Sequence, residues 1–256
     1  MVDLEAELAL EGASGQYTRS IGERWDVGGR AFGGYGAALA LNAMTIDTSL
    51  ASALSLYVMF LNPLEFGEIT FTVETLRRGR SVAAVRATGS QSDRVVLTAT
   101  AWLSDAGVVA VRTETVAAPE REPDRNWAGG QWPVLAFAER RGARYPESPT
   151  AFAGQREVEL WLRPTAPVPD QLFDVLVLDG HLLDAPLCLR GNIDEPMASL
   201  DLSVSWLREE APPAGGWRCL RSAGDQREGS VAASGSLSWD HDRTYAIAAT
   251  QALTRR

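Results

Sequence analysis

Few side chains in this 256-residue sequence are of a type that could carry out chemistry, and they stand apart from one another. Asp179 lies within FDVLVLDGHLLDAPL, a run beginning at Phe173 that is apolar enough to be buried. A lone buried carboxylate costs several kcal/mol unless it is hydrogen-bonded, and its pKa rises. A carboxyl group that titrates nearer neutrality is suited to general-base work. The plain alternatives are a helix cap or a solvated Asp. Asp184 is a rival carboxylate, on a different face of the same helix. Gln251 interrupts a strand of small and apolar residues. Its amide can accept from a water and donate to a carbonyl oxygen at once, although a solvent-facing edge position would also account for it. Ser199 shares its parity with Asp201 and Ser203 rather than with the apolar face of its strand. It therefore reads about equally well as a strand-start residue bonded to local backbone.

Composition removes several other chemistries. No Gly-x-Ser-x-Gly elbow surrounds any serine. The only histidines, His181 and His241, are not placed to suggest a triad, so an acyl-enzyme route is not expected. Every basic residue is Arg, which excludes Schiff-base chemistry on Lys and a Walker phosphate loop. Cys188 and Cys219 are far apart and form neither a zinc pattern nor a disulfide framework, so no metal and no cofactor are expected. Such sparing cysteine use suits a reducing compartment. A net charge of -9 and a pI of about 4.9 argue against nucleic acid or an anionic membrane as partner. The N-terminal MVDLEAELALEGASG lacks the basic region of a signal peptide, and no run reaches the ~18 apolar residues of a membrane span. A cytoplasmic protein is the expectation.

Two further stretches could meet a ligand. RAFGGYGAALALNAM, from Arg30, sets Gly33, Gly34 and Tyr35 at the head of an apolar helix. It has neither the strand context nor the spacing of a dinucleotide fingerprint. The glycines could let a ligand carbonyl approach the free N–H groups of the first helical turn, or they could only permit tight helix-to-sheet packing. LRRGRS, from Leu76, clusters arginines that could attract phosphates, although a solvated hairpin is the commoner meaning of such a run.

These residues are positioned by a repeat. Leu54, Leu56, Val58 and Phe60 alternate in the same way as Leu200, Leu202, Val204 and Trp206, as a strand with one buried face does. The segments Arg80–Leu103 and Gly229–Leu253 share Ser-Val-Ala-Ala, a polar turn containing Asp-Arg, and a closing strand. By this repeat the first-half counterpart of Gln251 is Ala101. Each half reads as strand, apolar helix, then a run of antiparallel strands. The helices are expected from Gly34 to about Ile46 and from about Asp170 to Leu189. A helix that is apolar all round must be buried, and a curved antiparallel sheet wrapped around it achieves that. The sequence thus predicts an α+β tandem (double) hotdog, with an N-terminal unit at 1–115 and a C-terminal unit at 150–256. The Pro-, Gly- and charge-rich segment 116–149 is read as a crossing, with a short helical turn near Leu135–Arg140.

Taken in order, WDVGGRAFGGYGAALAL, MFLNP, VETLRRGRSVAAVRATGSQSDRVVLTATAWL, VELWLRP, LDGHLLDAPL, ASLDLSVSWLR and AATQALTR resemble the landmarks of the acyl-CoA thioesterase II-like family, the double-hotdog thioesterases. The resemblance implies hydrolysis of an acyl-CoA or acyl-carrier thioester, with no metal, cofactor or covalent intermediate. It implies a water positioned and activated by Asp179, Ser199 (where the better-known pattern has Thr) and Gln251. It implies substrate contacts at Gly33, Gly34, Tyr35 and Tyr57, and a homodimer or higher homo-oligomer. Leu54 and Tyr57 stand where some members carry His, and Asn62 stands where an Arg often precedes the Pro. Two other functions fit the same fold. One is a non-catalytic protein that binds acyl ligands. The other is a thioester hydratase or dehydratase, whose catalytic His would fall near Trp25.

Overall fold

The structure, a computed structural model, describes residues 3–105, 136–142, 157–186, 197–207, 215–227, 229–238 and 244–254. Its strands are β1 (Glu11–Ala13), β2 (Gln16–Ile21), β3 (Ser52–Phe60), β4 (Gly67–Arg78), β5 (Val82–Gln91), β6 (Arg94–Ser104), β7 (Ala138–Gly142), β8 (Glu157–Pro164), β9 (Met197–Trp206), β10 (Arg218–Arg227), β11 (Ser230–Ser238) and β12 (Thr244–Thr254). Its α-helices are α1 (Leu4–Leu8), α2 (Gly33–Thr48) and α3 (Asp170–His181), with a 3-10 turn at Glu23–Trp25.

The strands form one antiparallel sheet in the order β1-β2-β4-β5-β6-β3-β9-β12-β11-β10-β8-β7. Each strand of the first half has its counterpart at the mirrored place in the second, and the halves join where β3 pairs with β9 around Tyr57 and Ser203. This is the double hotdog that the repeat predicts. The pseudo-symmetry extends to irregularities. The β3–β6 ladder skips Leu54, and the β9–β12 ladder skips the equivalent Leu200. Both are β-bulges, each adding one residue to its strand and reversing the facing of what lies beyond.

The helices pack against one another inside the sheet. Along α2, Tyr35 and every residue from Gly34 to Leu41 are buried, as its composition requires. Ser49, in the left-handed conformation, ends it. Short α1 lies across α2: the Tyr35 hydroxyl donates to the Glu7 carbonyl at 2.5 Å, and Asn42 Nδ2 donates to the Leu8 carbonyl at 2.8 Å. A buried polar cluster pins α3 to its own sheet. Asp174 accepts from Trp206 Nε1 at 3.0 Å, Arg218 Nε at 2.8 Å and the Tyr245 hydroxyl at 2.9 Å. Arg218 also bonds Asp170 and lies 4.7 Å over the Phe173 ring. Burial pushes the Asp174 carboxyl upward and the Arg218 charge draws it back. A charge pair this deep is tolerated because both oxygens of Asp174 and all three guanidinium nitrogens of Arg218 have hydrogen-bond partners.

Two expectations about elements need correction. The segment read as a helical turn near Leu135–Arg140 has a 3-10 turn only at residues 136–137; from Ala138 it is strand β7, paired to β8 at the edge of the second half's sheet. The charged residues that disguise it sit on an edge strand, where one flank is unpaired and charge is common. The second helix, expected to about Leu189, is interrupted after His181 by a turn at 182–183, and helix resumes at 184–186. Residues 187–189 lie outside the described residues, as do Cys188 and His241.

Candidate active site

Asp179 projects from the last turn of α3 toward the first turn of α2, so the site lies between the two halves. The contact is close enough to dictate glycine. A Cβ at Gly34 would stand 2.5 Å from a Phe32 ring carbon and 2.9 Å from Asp179 Cβ. At Gly33 it would stand 3.2 Å from the Phe60 ring and 3.3 Å from Asp179 Oδ2. Gly34 is therefore required by helix packing, and that same packing delivers the carboxyl to a helix N-terminus. Phe32 precedes α2 and offers no side-chain cap, so the first N–H groups are available to another acceptor.

The carboxyl is 8% exposed, and Asp179 Oδ1 has no hydrogen-bond partner. Burial raises its pKa to about 6, while hydrogen bonding from the Gly34 N–H and the Ser199 hydroxyl pulls the other way. The surroundings are apolar, with Phe32 and Phe60 against the glycines. The result is a group that is mostly ionised at neutral pH yet basic enough to take a proton.

The bulge explains how Ser199 reaches Asp179. By strict alternation Ser199 shares its face with Asp201, away from the core. Because the ladder skips Leu200, Ser199 instead pairs with Ala252, which is fully buried, and so turns inward. Gln251 pairs with Asp201 on the outer face. Its N–H donates to Asp201 Oδ1 at 2.9 Å, and its Nε2 lies 3.5 Å from Asp201 Oδ2. The structure thus brings Asp179, Ser199 and Gly34 together and leaves Gln251 across the sheet from them. The shared bulge also shifts the repeat by one residue: Gln251 corresponds to Trp102, which pairs with Ser55, and not to Ala101.

The other substrate-contact expectations divide. Gly33 and Gly34 are at the site. Tyr35 is fully buried, its ring stacked 4.0 Å from that of Trp25, and Tyr57 is 41% exposed on the outer face. The rival carboxylate, Asp184, bonds His181 Nδ1 at 3.0 Å. Phe32 and Phe60 escaped the sequence reading, because only the fold reveals that a strand-end ring meets a helix start. Among the described residues no group of three or more His, Cys, Asp or Glu is gathered to hold a metal.

The equivalent place in the first half is built differently. Asn42 stands as far into α2 as Asp179 does into α3, and Ala53 occupies the place of Ser199. Gln171, the equivalent of Gly34, accepts from the Ala53 N–H at 2.7 Å and donates to its carbonyl at 2.8 Å. That place has neither a carboxyl group nor a hydroxyl.

Comparison with known families gives two adjoining matches. Residues 21–104 match the acyl-CoA thioesterase N-terminal domain, and residues 112–254 match the acyl-CoA thioesterase C-terminal domain. The chain belongs to the acyl-CoA thioesterase family. It is a thioester hydrolase of double-hotdog form. Solved structures agree on the fold. A TesB protein from Mycobacterium avium subsp. paratuberculosis superposes with a TM-score of 0.77 at 19% identity, over 99% of this chain and 98% of that one. A protein described as a thioesterase II from Thermobifida fusca gives 0.79 at 19% identity, over 100% and 98%. A protein described as a thioesterase from Novosphingobium aromaticivorans gives 0.78 at 24% identity, over 97% and 99%. No curated protein sequence matches.

Proposed function

We propose that this thioesterase hydrolyses an acyl-CoA by direct attack of water, with Asp179 as the general base. The water is held between the Asp179 carboxyl and the Ser199 hydroxyl. Asp179 takes its proton as the oxygen attacks the thioester carbonyl, and the Gly33 N–H at the head of α2 donates to the developing oxyanion. Collapse breaks the carbon–sulfur bond. The proton on Asp179 passes to the departing thiolate, leaving free acid, free thiol and the starting carboxylate. The observation that carries this reading is the buried Asp179 carboxyl set against Gly33 and Gly34 in the first turn of α2, which Phe32 leaves without a side-chain cap; burial pushes that carboxyl up to about 6. Gln251 takes no part in it, because it lies on the outer face of the sheet opposite Asp201. A hydratase would need a base near Trp25, whose buried indole donates to Glu7 Oε2 at 3.1 Å.

Release of free thiol across a panel of acyl-CoA chain lengths tests the reading. Asp179→Asn should lower kcat by roughly 10²-fold or more. Wild-type turnover in that variant would refute it. Self-association belongs to the same reading. Tyr57, Met59, Trp102 and Ile247 stand 40–45% exposed on the outer face of the four central strands, an apolar area that a second copy would cover. Light scattering at micromolar concentration should report at least a dimer, and a monomer would count against it.

A further inference from the structure

The cluster LRRGRS, which the sequence offers for phosphates, is at the wrong end of the molecule. Arg78 donates from Nη1 to the carbonyl of Thr48, the last residue of α2. The site is at Gly33 and Gly34, the other end of that helix, about 24 Å away at 1.5 Å per residue. A different arginine is placed at the correct end. Phe60, whose ring meets Gly33, is the last residue of β3, and Asn62 follows two residues on, where the Leu61 and Asn62 N–H groups both donate to the Val96 carbonyl at 2.9 and 3.1 Å. Asn62 Nδ2 donates to the Val95 carbonyl at 2.7 Å, which fixes the amide. Its Oδ1 accepts from Arg94 Nη2 at 2.9 Å. The segment then passes the entry loop of α2, where the Ala31 N–H donates to the Leu64 carbonyl at 2.9 Å.

Charge singles out Arg94 on this rim. Arg30, its neighbour there, is paired with Glu65. Arg94 is exposed and, among the described residues, has no carboxylate partner. Its one hydrogen bond goes to a neutral amide, which aims the guanidinium and leaves its charge uncompensated. In a chain of net charge -9, an anionic substrate is repelled at long range, so an oriented cation without a carboxylate partner, on the strand ends that lead to Phe60 and the head of α2, has a use. Guanidinium is matched to phosphate oxygens, which it can bind through two parallel hydrogen bonds.

Resting on the hydrolase reading above, we propose that Arg94, oriented by Asn62, binds a phosphate of the coenzyme A portion of the substrate and so selects a nucleotide-bearing thiol over a bare pantetheine. The pantetheine arm runs from the thioester at Asp179 past Phe60, and the charged end lies over Asn62 and Arg94.

The test compares one acyl group on coenzyme A and on pantetheine, which has no phosphate. In Arg94→Gln the ratio of kcat/KM for acyl-CoA to that for acyl-pantetheine should fall roughly tenfold at low salt, and wild type should lose much of its preference as salt rises. Arg86→Gln, which removes an arginine paired with Glu74 elsewhere on the sheet, should leave the ratio as in wild type. An unaltered ratio in Arg94→Gln, or an equal loss on both substrates, overturns the proposal. Calorimetric binding of coenzyme A itself separates this from the hydrolase reading. If wild type binds coenzyme A and Arg94→Gln binds it roughly tenfold more weakly, the phosphate site stands even if no thioester is turned over. If wild type does not bind it, or the variant binds it equally well, the site is refuted.

Discussion

Asp179 should make the protein less stable as well as active. Its carboxyl has a pKa of about 6 in the folded chain and an ordinary value of 3.8 when unfolded. Between those values the folded state holds a proton that the unfolded state has released, so stability falls as pH rises through the interval. The term is absent below about pH 3.8, grows through the interval, and is constant above about pH 6. A difference of this size is worth about 3 kcal/mol at neutral pH. Asp179→Asn keeps the shape and the acceptor for the Gly34 N–H, and it removes the charge. The variant should therefore exceed wild type by up to about 3 kcal/mol at pH 7 and match it near pH 4. For a domain of this size that is roughly 2–4 °C in Tm for each kcal/mol. Denaturant unfolding of both proteins from about pH 4 to about pH 8 gives the difference directly, and other titrating groups cancel from it. A difference that does not vary with pH, or a variant less stable than wild type at pH 7, would refute the assignment of a strained, charged Asp179. The acid limb of kcat/KM should carry the same apparent pKa of about 6 and vanish with the residue.

Gly34→Ala forces a Cβ into the Phe32 ring and Asp179 Cβ, so it should cost about 1–3 kcal/mol in denaturant unfolding and more than tenfold in kcat by displacing the carboxyl. Asp174→Ala leaves Arg218 buried and half-paired, and a loss of about 3–5 kcal/mol should appear as a lowered denaturation midpoint. Gln251→Ala, on the outer face, should change kcat less than threefold, whereas Ser199→Ala should lower it about tenfold or more; the reverse order in a thiol-release assay would return the amide to the site.

What the sequence disclosed and what it hid follow from the range of the forces involved. The alternation of Leu54 to Phe60 and of Leu200 to Trp206 is local, so strand type, buried face and the duplication could all be read from it. The apolar length of α2 required burial, and only a wrapped sheet supplies that. Asp179 was conspicuous because a carboxylate in an apolar helix needs an explanation. Gln251 follows the unbroken alternation of β12 from Ala246 to Leu253 and faces outward, whereas the facing of Ser199 depended on a single skipped residue, Leu200. No side-chain pattern marks it, since Leu suits either side of a half-buried strand, and one added residue reverses every facing beyond it. That is why the serine, which alternation assigns to the wrong face, reaches the carboxyl, while the glutamine, on a strand that adds no residue there, stays on the outer face.

The same bulge occurs at Leu54, so the two halves present the same backbone at the equivalent place, and only side chains decide which of them holds a buried carboxyl. In the second half the bulge turns a hydroxyl inward and α3 supplies Asp179 beside two glycines. In the first it turns Ala53 inward, α2 supplies Asn42, and Gln171 spans the gap to both backbone groups of Ala53. An Asn at that position avoids the cost of a second buried charge, and its amide is fixed by the Leu8 carbonyl. Gln171, in turn, satisfies backbone groups beside the bulge. One place keeps an unsatisfied Asp179 Oδ1, and the other leaves its amides and the bulge backbone bonded. A buried polar atom without a partner is expensive, and the chain carries that cost on the side where Asp179, Ser199 and an uncapped helix N-terminus meet.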